Sequence, residues 1–458
     1  MRFVQLFEVK LNYIYVRETK PMKTYTKIAF IVLTGLLSLQ SCTVQPRKAV
    51  PTSSILSSTE AQRFVGLDSF LTAANGKWAT GSTALVMKNG KIVYHKAFGK
   101  KDVEANIDMQ TSDIFRIASM TKPIVSAAAL ILVEQGKLSL DSPLSKYVPA
   151  FANMQVLKGF NSKDGTYTTE PSQTAITIRN LLTHTSGIGY SFTDKRMASI
   201  YGKNDIPDIT TIRNTTIGAT VDKLAGVPLG AQPGTNFYYG LSTDVLGRVI
   251  EIASGVSLDK FLRQNILKPL EMNDTYFFLP ENKVKRLSTM YSWNEEKGLE
   301  RMSKDKYPDL NFPFEGARTY FSGGGGLTST AYDYSKFLQM ILNKGSYKGK
   351  QVLSQETVNL MTTGQVEMDG SHKFGLGFMI NSEADPDLGI KPGKLSWSGA
   401  FNTVFWIDPQ RRSIAVLMTQ VFPGDEERRL FTGFEKQVNK ALDGMEFYSE
   451  NTAKPLRK

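Results

Sequence analysis

The chain reads as an α+β protein: one antiparallel sheet built from its N- and C-terminal segments, flanked by helices, with a mostly helical region inserted between the two halves. Three observations predict this. Residues 82–88 and 91–96 are alternating apolar runs on either side of Asn89-Gly90, the strongest short hairpin signal a sequence carries. Strand patterns return only late, at 375–380, 403–407 and 413–419, with Asp408-Pro409-Gln410-Arg411 as the turn between the last two. From 116 to about 330 the pattern is mostly helical, with long polar loops.

In chain order, residues 28–39 form an apolar run preceded by Lys23 and Lys27. The run is short for a membrane span and suits a signal-peptide core. It ends in Leu39-Gln40-Ser41-Cys42, which resembles a bacterial lipobox, and Cys42 is the single cysteine of the chain. The expected organisation is a non-native extension over 1–21 with the true start at Met22, and a lipoprotein signal peptide over 22–41. A linker over 42–59, a catalytic domain over 60–445 and a polar tail over 446–458 follow. A lipidated Cys42 would tether the domain to a membrane of the cell envelope, facing the periplasm. Phe64, Val65, Leu67, Phe70 and Leu71 predict a helix over 60–74, and another closes the domain at about 427–442.

With 55 Lys and Arg against 43 Asp and Glu the net charge is +12, but the cations are scattered. Such a surface suits an anionic envelope better than a nucleic acid, and no nucleic-acid partner is expected. No His, Cys and carboxylate residues share ligand spacing, so neither a metal nor another cofactor is expected.

The chemistry concentrates at Ser119-Met120-Thr121-Lys122. Residues at i and i+3 share a helix face, so Lys122 can reach the Ser119 hydroxyl at the positive end of the helix dipole. The chain holds three Ser-x-x-Lys tetrads. Ser257 reads as a helix cap with Lys260 solvated, and Ser303 to Lys306 as an exposed loop. Only Ser119 precedes a segment apolar enough to bury its lysine, running through Ile124, Val125, Leu130 and Leu132 to a stop at Gly136. Burial presses a lysine toward its neutral, basic form. The three histidines, His95, His184 and His372, do not make a triad, and no Gly-x-Ser-x-Gly elbow is present. His184 reads as a hydrogen-bonded structural residue.

These motifs resemble, over about 60–440, the serine β-lactamase and penicillin-binding-protein family, in particular its class C and family VIII carboxylesterase branch. Residues 115–122 resemble its nucleophile motif and residues 177–187 its helix-and-turn block. Pro233-Gly234-Thr235-Asn236-Phe237-Tyr238-Tyr239 resembles the lead-in to its catalytic tyrosine. Residues 323–330, with Asp333 and Phe337, resemble its glycine-rich loop and following helix, and Trp397-Ser398-Gly399-Ala400 stands where its Lys-Thr-Gly or Trp-Gly-Gly strand belongs.

The resemblance implies Ser119 as the acylated nucleophile, Lys122 as its base and Tyr239 as a second acid or base. It places the oxyanion between the backbone N–H groups of Ser119 and Ala400. Trp397, Ser398, Gly399, Leu241 and Ser242 are the expected substrate contacts. Leu241 stands where the lactamase pattern has an asparagine, with Ser242 as a partial replacement, and Trp397 stands where it has a lysine. Losing that cation removes a charge-assisted contact of about 1.5–3 kcal/mol with a substrate carboxylate. The expected function is therefore a serine hydrolase acting on small or medium esters. A β-lactamase or D-alanyl-D-alanine carboxypeptidase is the alternative of like chemistry, and a non-catalytic penicillin-fold sensor or scaffold the alternative of another class.

Overall fold

The computed structural model describes residues 58–294, 296–422 and 427–445. Cys42, the signal segment, nearly all of the linker and the polar tail lie outside the described residues.

Nine strands form one antiparallel sheet, and its order shows how the termini meet. From one edge run Val366–Asp369, His372–Phe374, Met379–Asn381, Leu395–Gly399, Thr403–Asp408 and Ser413–Met418, followed by Gly81–Lys88, Lys91–Asp102 and Ile107–Asp108. The last C-terminal strand therefore pairs with the first N-terminal one, with Leu85 opposite Val416. Asn89 and Gly90 turn the hairpin with φ of 50° and 77°, the left-handed pair that a two-residue hairpin turn needs.

Every residue of Ser413–Met418 is buried, because both faces of the sheet are covered. Side chains alternate across a strand. Ala415 and Leu417 meet Leu67 and Leu71 of helix Val65–Ala74 and Leu430, Phe434 and Val438 of helix Glu427–Leu442. Ile414, Val416 and Met418 belong to the larger core on the opposite face, with helices Thr121–Glu134 and Ala331–Leu342. Helix Thr121–Glu134 is buried on every side from Thr121 to Leu132, with Ile124, Val125, Leu130 and Leu132 at 0% exposure. Each such side chain gains about 1.5–3 kcal/mol on burial, well above the helix penalty of at most about 0.7 kcal/mol for a β-branched residue. Tertiary packing decides that this segment is a helix.

Two expectations are corrected. The region between 116 and 330 contains the hairpins Gln155–Phe160 with Tyr167–Pro171 and Tyr291–Asn294 with Gly298–Arg301, so it is less helical than its pattern suggests. The run 375–380 is not one strand. Gly377, at φ 110°, breaks it, leaving His372–Phe374 and Met379–Asn381 on either side. Elsewhere the helix expected over 60–74 is split into Ser58–Gln62 and Val65–Ala74, and the closing helix spans Glu427–Leu442.

Candidate active site

Ser119 lies where the sheet meets the inserted region. Phe115–Arg116 pairs with Thr328–Ser329, and Gln420 holds the other side of Arg116 by accepting from its backbone N–H at 2.8 Å and donating to its carbonyl at 3.1 Å. The chain then tightens into the 3₁₀ turn Ala118–Met120, so Ser119 sits just ahead of helix Thr121–Glu134 rather than within it. Ala118 takes φ 40° there, a strained value for a residue with a Cβ. The surroundings hold the turn: the Tyr334 hydroxyl donates to the Met120 carbonyl at 2.8 Å, and the Leu327 N–H donates to Thr121 Oγ1 at 3.1 Å. Met120 and Thr121 are buried, whereas Ser119 reaches the surface.

Lys122 is 1% exposed, and its three donors are all used. Nζ donates to Ser119 Oγ at 3.1 Å, to the Tyr190 hydroxyl at 3.0 Å and to the Gly324 carbonyl at 2.7 Å. Burial pushes its pKa down to about 7, while the Asp244 carboxylate acts in the opposite direction. Asp244 is itself fully buried, which pushes its carboxyl up to about 6 against the pull of the Ser322 hydroxyl and of Lys122. A base of this kind must be neutral to accept a proton. The expected result is that kcat/KM on a neutral ester is high above pH 7 and falls as the pH drops through about 7 and Lys122 takes up a proton; a pH–rate profile checks it.

Tyr239 donates from its hydroxyl to Ser119 Oγ at 2.7 Å. Its neighbour Tyr238 points elsewhere and donates to Asp194 Oδ2 at 2.7 Å. The turn after Ile178–Leu182 makes this selection. The Tyr238 N–H donates to the His184 carbonyl at 2.7 Å and the Leu241 N–H to the Gly189 carbonyl at 3.3 Å, clamping the backbone on both sides of Tyr239. Gly240 between them cannot be replaced, since a Cβ there would lie 2.0 Å from the Ile188 carbonyl oxygen. Burial raises the Tyr239 pKa, opposed by the Ser119 hydroxyl and by the Trp397 indole, whose N–H lies toward the phenol but closes no well-formed hydrogen bond. Tyr239 is thus a neutral phenol at rest, able to give or pass on a proton.

His184 is a packing residue. Its ring lies 4.9 Å from that of Tyr239, burial and the nearby Lys122 hold it neutral, and its Nε2 is 3.5 Å from Thr243 Oγ1. Phe374 packs against Trp397 at 5.2 Å and Phe237 at 5.1 Å, and Trp397 meets Tyr239 edge-on at 5.5 Å. The Ser119 hydroxyl therefore opens beside an aromatic wall.

Trp397, Ser398 and Gly399 end the strand Leu395–Gly399, and Ala400 follows. A Cβ on Gly399 would lie 2.3 Å from the Ile117 carbonyl, so the strand end presses against the turn that carries Ser119. Ala400 packs against the small apolar cluster that includes Ala118, the residue before Ser119. Leu241 and Ser242 are both at 0% exposure, Leu241 within the core and the Ser242 hydroxyl 2.8 Å from that of Ser186. Their expected role as substrate contacts is corrected, because the clamp on Gly240 turns the chain inward directly after Tyr239.

Sequence reasoning missed Tyr190, Asp244 and the Gly324 carbonyl. Tyr190 follows Gly187-Ile188-Gly189, and only the fold of that turn carries it to Lys122. Asp244, in the first turn of helix Ser242–Ser254, looks like an ordinary solvated acid at a positive helix end.

A hydroxyl held between a phenol and a buried lysine whose pKa burial has lowered, at the seam of an α+β fold, defines a serine enzyme of the acyl-transfer type. The beta-lactamase family profile matches residues 67–438, and the chain belongs to that family. It is similar to Protein Rv1367c of Mycobacterium tuberculosis, at 32% identity over 75% of this chain and 86% of that protein. It is also similar to Esterase EstB of Burkholderia gladioli, at 29% identity over 74% of this chain and 85% of EstB. Among solved structures, EstCE1, described as a hydrolase with promiscuous acyltransferase activity, superposes with a TM-score of 0.71 at 24% identity. That superposition covers 83% of this chain and 99% of EstCE1.

Proposed function

We propose that this protein is a serine carboxylesterase that cleaves small or medium esters through an acyl-Ser119 intermediate. The observation that carries the reading is Ser119 Oγ held at 3.1 Å from Lys122 Nζ and 2.7 Å from the Tyr239 hydroxyl. As Oγ bonds the ester carbonyl carbon, Lys122 accepts its proton. The tetrahedral oxyanion lies between the backbone N–H groups of Ser119 and Ala400, where a single donor is worth about 10²–10³ in rate. When the bond to the alcohol oxygen breaks, Tyr239 gives that oxygen a proton and recovers one from the Lys122 ammonium. Water then attacks the acyl carbon by the same route, releasing the carboxylic acid and returning the proton to Ser119.

An ester fits better than a β-lactam or a peptide carboxylate. Trp397 stands where a carboxylate-binding lysine would be, and the half-buried rings of Trp397 and Phe237, backed by the buried Phe374, suit an uncharged acyl group. The name of EstB supports the same class. A fluorophosphonate probe is expected to label the wild type at Ser119 and to leave Ser119→Ala unlabelled. Turnover of p-nitrophenyl butyrate is expected to exceed that of nitrocefin. Absence of labelling, or equal labelling of the variant, overturns the serine assignment; a large preference for nitrocefin overturns the ester assignment in favour of a β-lactamase.

The reading also places the enzyme on an envelope membrane through a lipid on Cys42. Its support is the apolar run 28–39 with the lipobox-like end. Metabolic labelling with radioactive palmitate checks it: the wild type is expected to be labelled and Cys42→Ala not, and an unlabelled wild type would exclude the anchor.

A further inference from the structure

Gly324 joins two groups that the proposed reaction treats separately. Its carbonyl accepts from Lys122 Nζ at 2.7 Å, and its N–H donates to Asp244 Oδ1 at 3.1 Å. The Ser322 hydroxyl also donates to Oδ1, at 2.6 Å. The other oxygen, Oδ2, is buried and has no hydrogen-bond partner. A Cβ on Gly324 would fall 2.3 Å from that oxygen and 2.7 Å from the Tyr190 hydroxyl, so the two border one small space and are no more than about 5 Å apart. The Tyr190 hydroxyl in turn accepts from Lys122 Nζ. A carboxylate at 0% exposure with a bare oxygen is costly to keep unless a nearby cation or proton compensates it.

We propose that Asp244 is a positioning residue that sets the charge state of Lys122, its carboxylate stabilising the ammonium formed when Ser119 gives up its proton. This rests on the reading of Lys122 as the base. Asp244 touches neither Ser119 nor any atom that reacts. It acts through Gly324 and Tyr190, which explains why a glycine is needed at 324: a side chain there would separate the carboxylate from the lysine. The other ionisable groups facing this pair are Tyr190, Tyr239, Tyr320, His184 and Asp208. The tyrosines are held neutral by burial, and so is His184. Asp208 is bound by the backbone N–H and hydroxyl of Ser191. Asp244 is therefore the carboxylate left to answer Lys122.

The test is the pH dependence of Ser119 labelling by a fluorophosphonate, measured between pH 5 and 9 alongside kcat/KM for p-nitrophenyl butyrate. In Asp244→Asn the ammonium loses its counter-charge and Lys122 deprotonates more easily. The acid limb is expected to move to lower pH by about one unit, on the scale an adjacent opposite charge produces. Ser322→Ala keeps the carboxylate but removes a donor to it, and is expected to move the limb the same way by less. Ser322→Ala also carries the test if Asp244→Asn does not fold. A limb that stays in place in the variants that fold, with only the maximal rate or the melting temperature falling, makes Asp244 a structural buttress and overturns the proposal. Labelling needs no ester substrate, so a wild type that is labelled but hydrolyses no ester refutes the esterase reading and leaves this test intact.

Discussion

Substituting Lys122 by methionine is expected to lower kcat/KM on p-nitrophenyl butyrate by about 10³-fold, within the range a positioned general base contributes. Methionine fills much the same volume in the buried channel beneath Ser119 but offers no lone pair for the serine proton. Without the lysine, the alkoxide must form against the ordinary acidity of an alcohol, and the helix dipole and oxyanion donors alone cannot compensate. The Lys122 side chain is enclosed by Tyr190, Tyr239 and the Gly324 carbonyl, so a solvent-borne base cannot take its place. In this variant Asp244 has lost its nearby cation and is expected to be protonated at neutral pH. Steady-state kinetics with a melting curve beside them check the result. A loss below tenfold in a folded variant would show that the proton leaves Ser119 by another route.

The second large effect is at Tyr239. Tyr239→Phe is expected to reduce turnover by about 10²–10³-fold, because it removes the hydroxyl that donates to Ser119 Oγ and must protonate the departing alcohol. Tyr238→Phe is expected to cost less than about tenfold, since its hydroxyl is committed to Asp194 and never meets the nucleophile. The aromatic packing against His184 and Trp397 survives either change, so fold loss does not confuse the comparison. A leaving group that needs no proton sharpens it. With p-nitrophenol the Tyr239→Phe defect should be smaller than with an alkyl ester, whose alkoxide is a far stronger base. Equal defects for the two tyrosines would mean that the spacing from Pro233-Gly234 selects the wrong one.

Much of this molecule was legible in its sequence. Asn89-Gly90, the continuous apolar runs 403–407 and 413–419, and the length of the closing helix are local properties, set by backbone sterics and by which side chains must leave water. The nucleophile and its base are local too, being three residues apart at the head of an apolar segment. Tyr239 required the flanking motif, because two adjacent tyrosines look alike until something fixes which ring faces inward.

What only the tertiary structure decided is the surroundings of the lysine. Tyr190, Asp244 and the Gly324 carbonyl come from three separate segments, and nothing in their own neighbourhoods distinguishes them from a turn residue, a helix-end acid and a flexible loop. Leu241 and Ser242 failed as substrate contacts for the same reason: the approach of Gly240 to the Ile188 carbonyl, which turns the chain into the core, is a contact between segments about fifty residues apart. The sequence by itself determined the central strands of the sheet, the Ser119–Lys122 spacing and the class of chemistry. The protonation state that makes Lys122 a base depends on burial and on charges brought from a distance, so only the folded chain decides it.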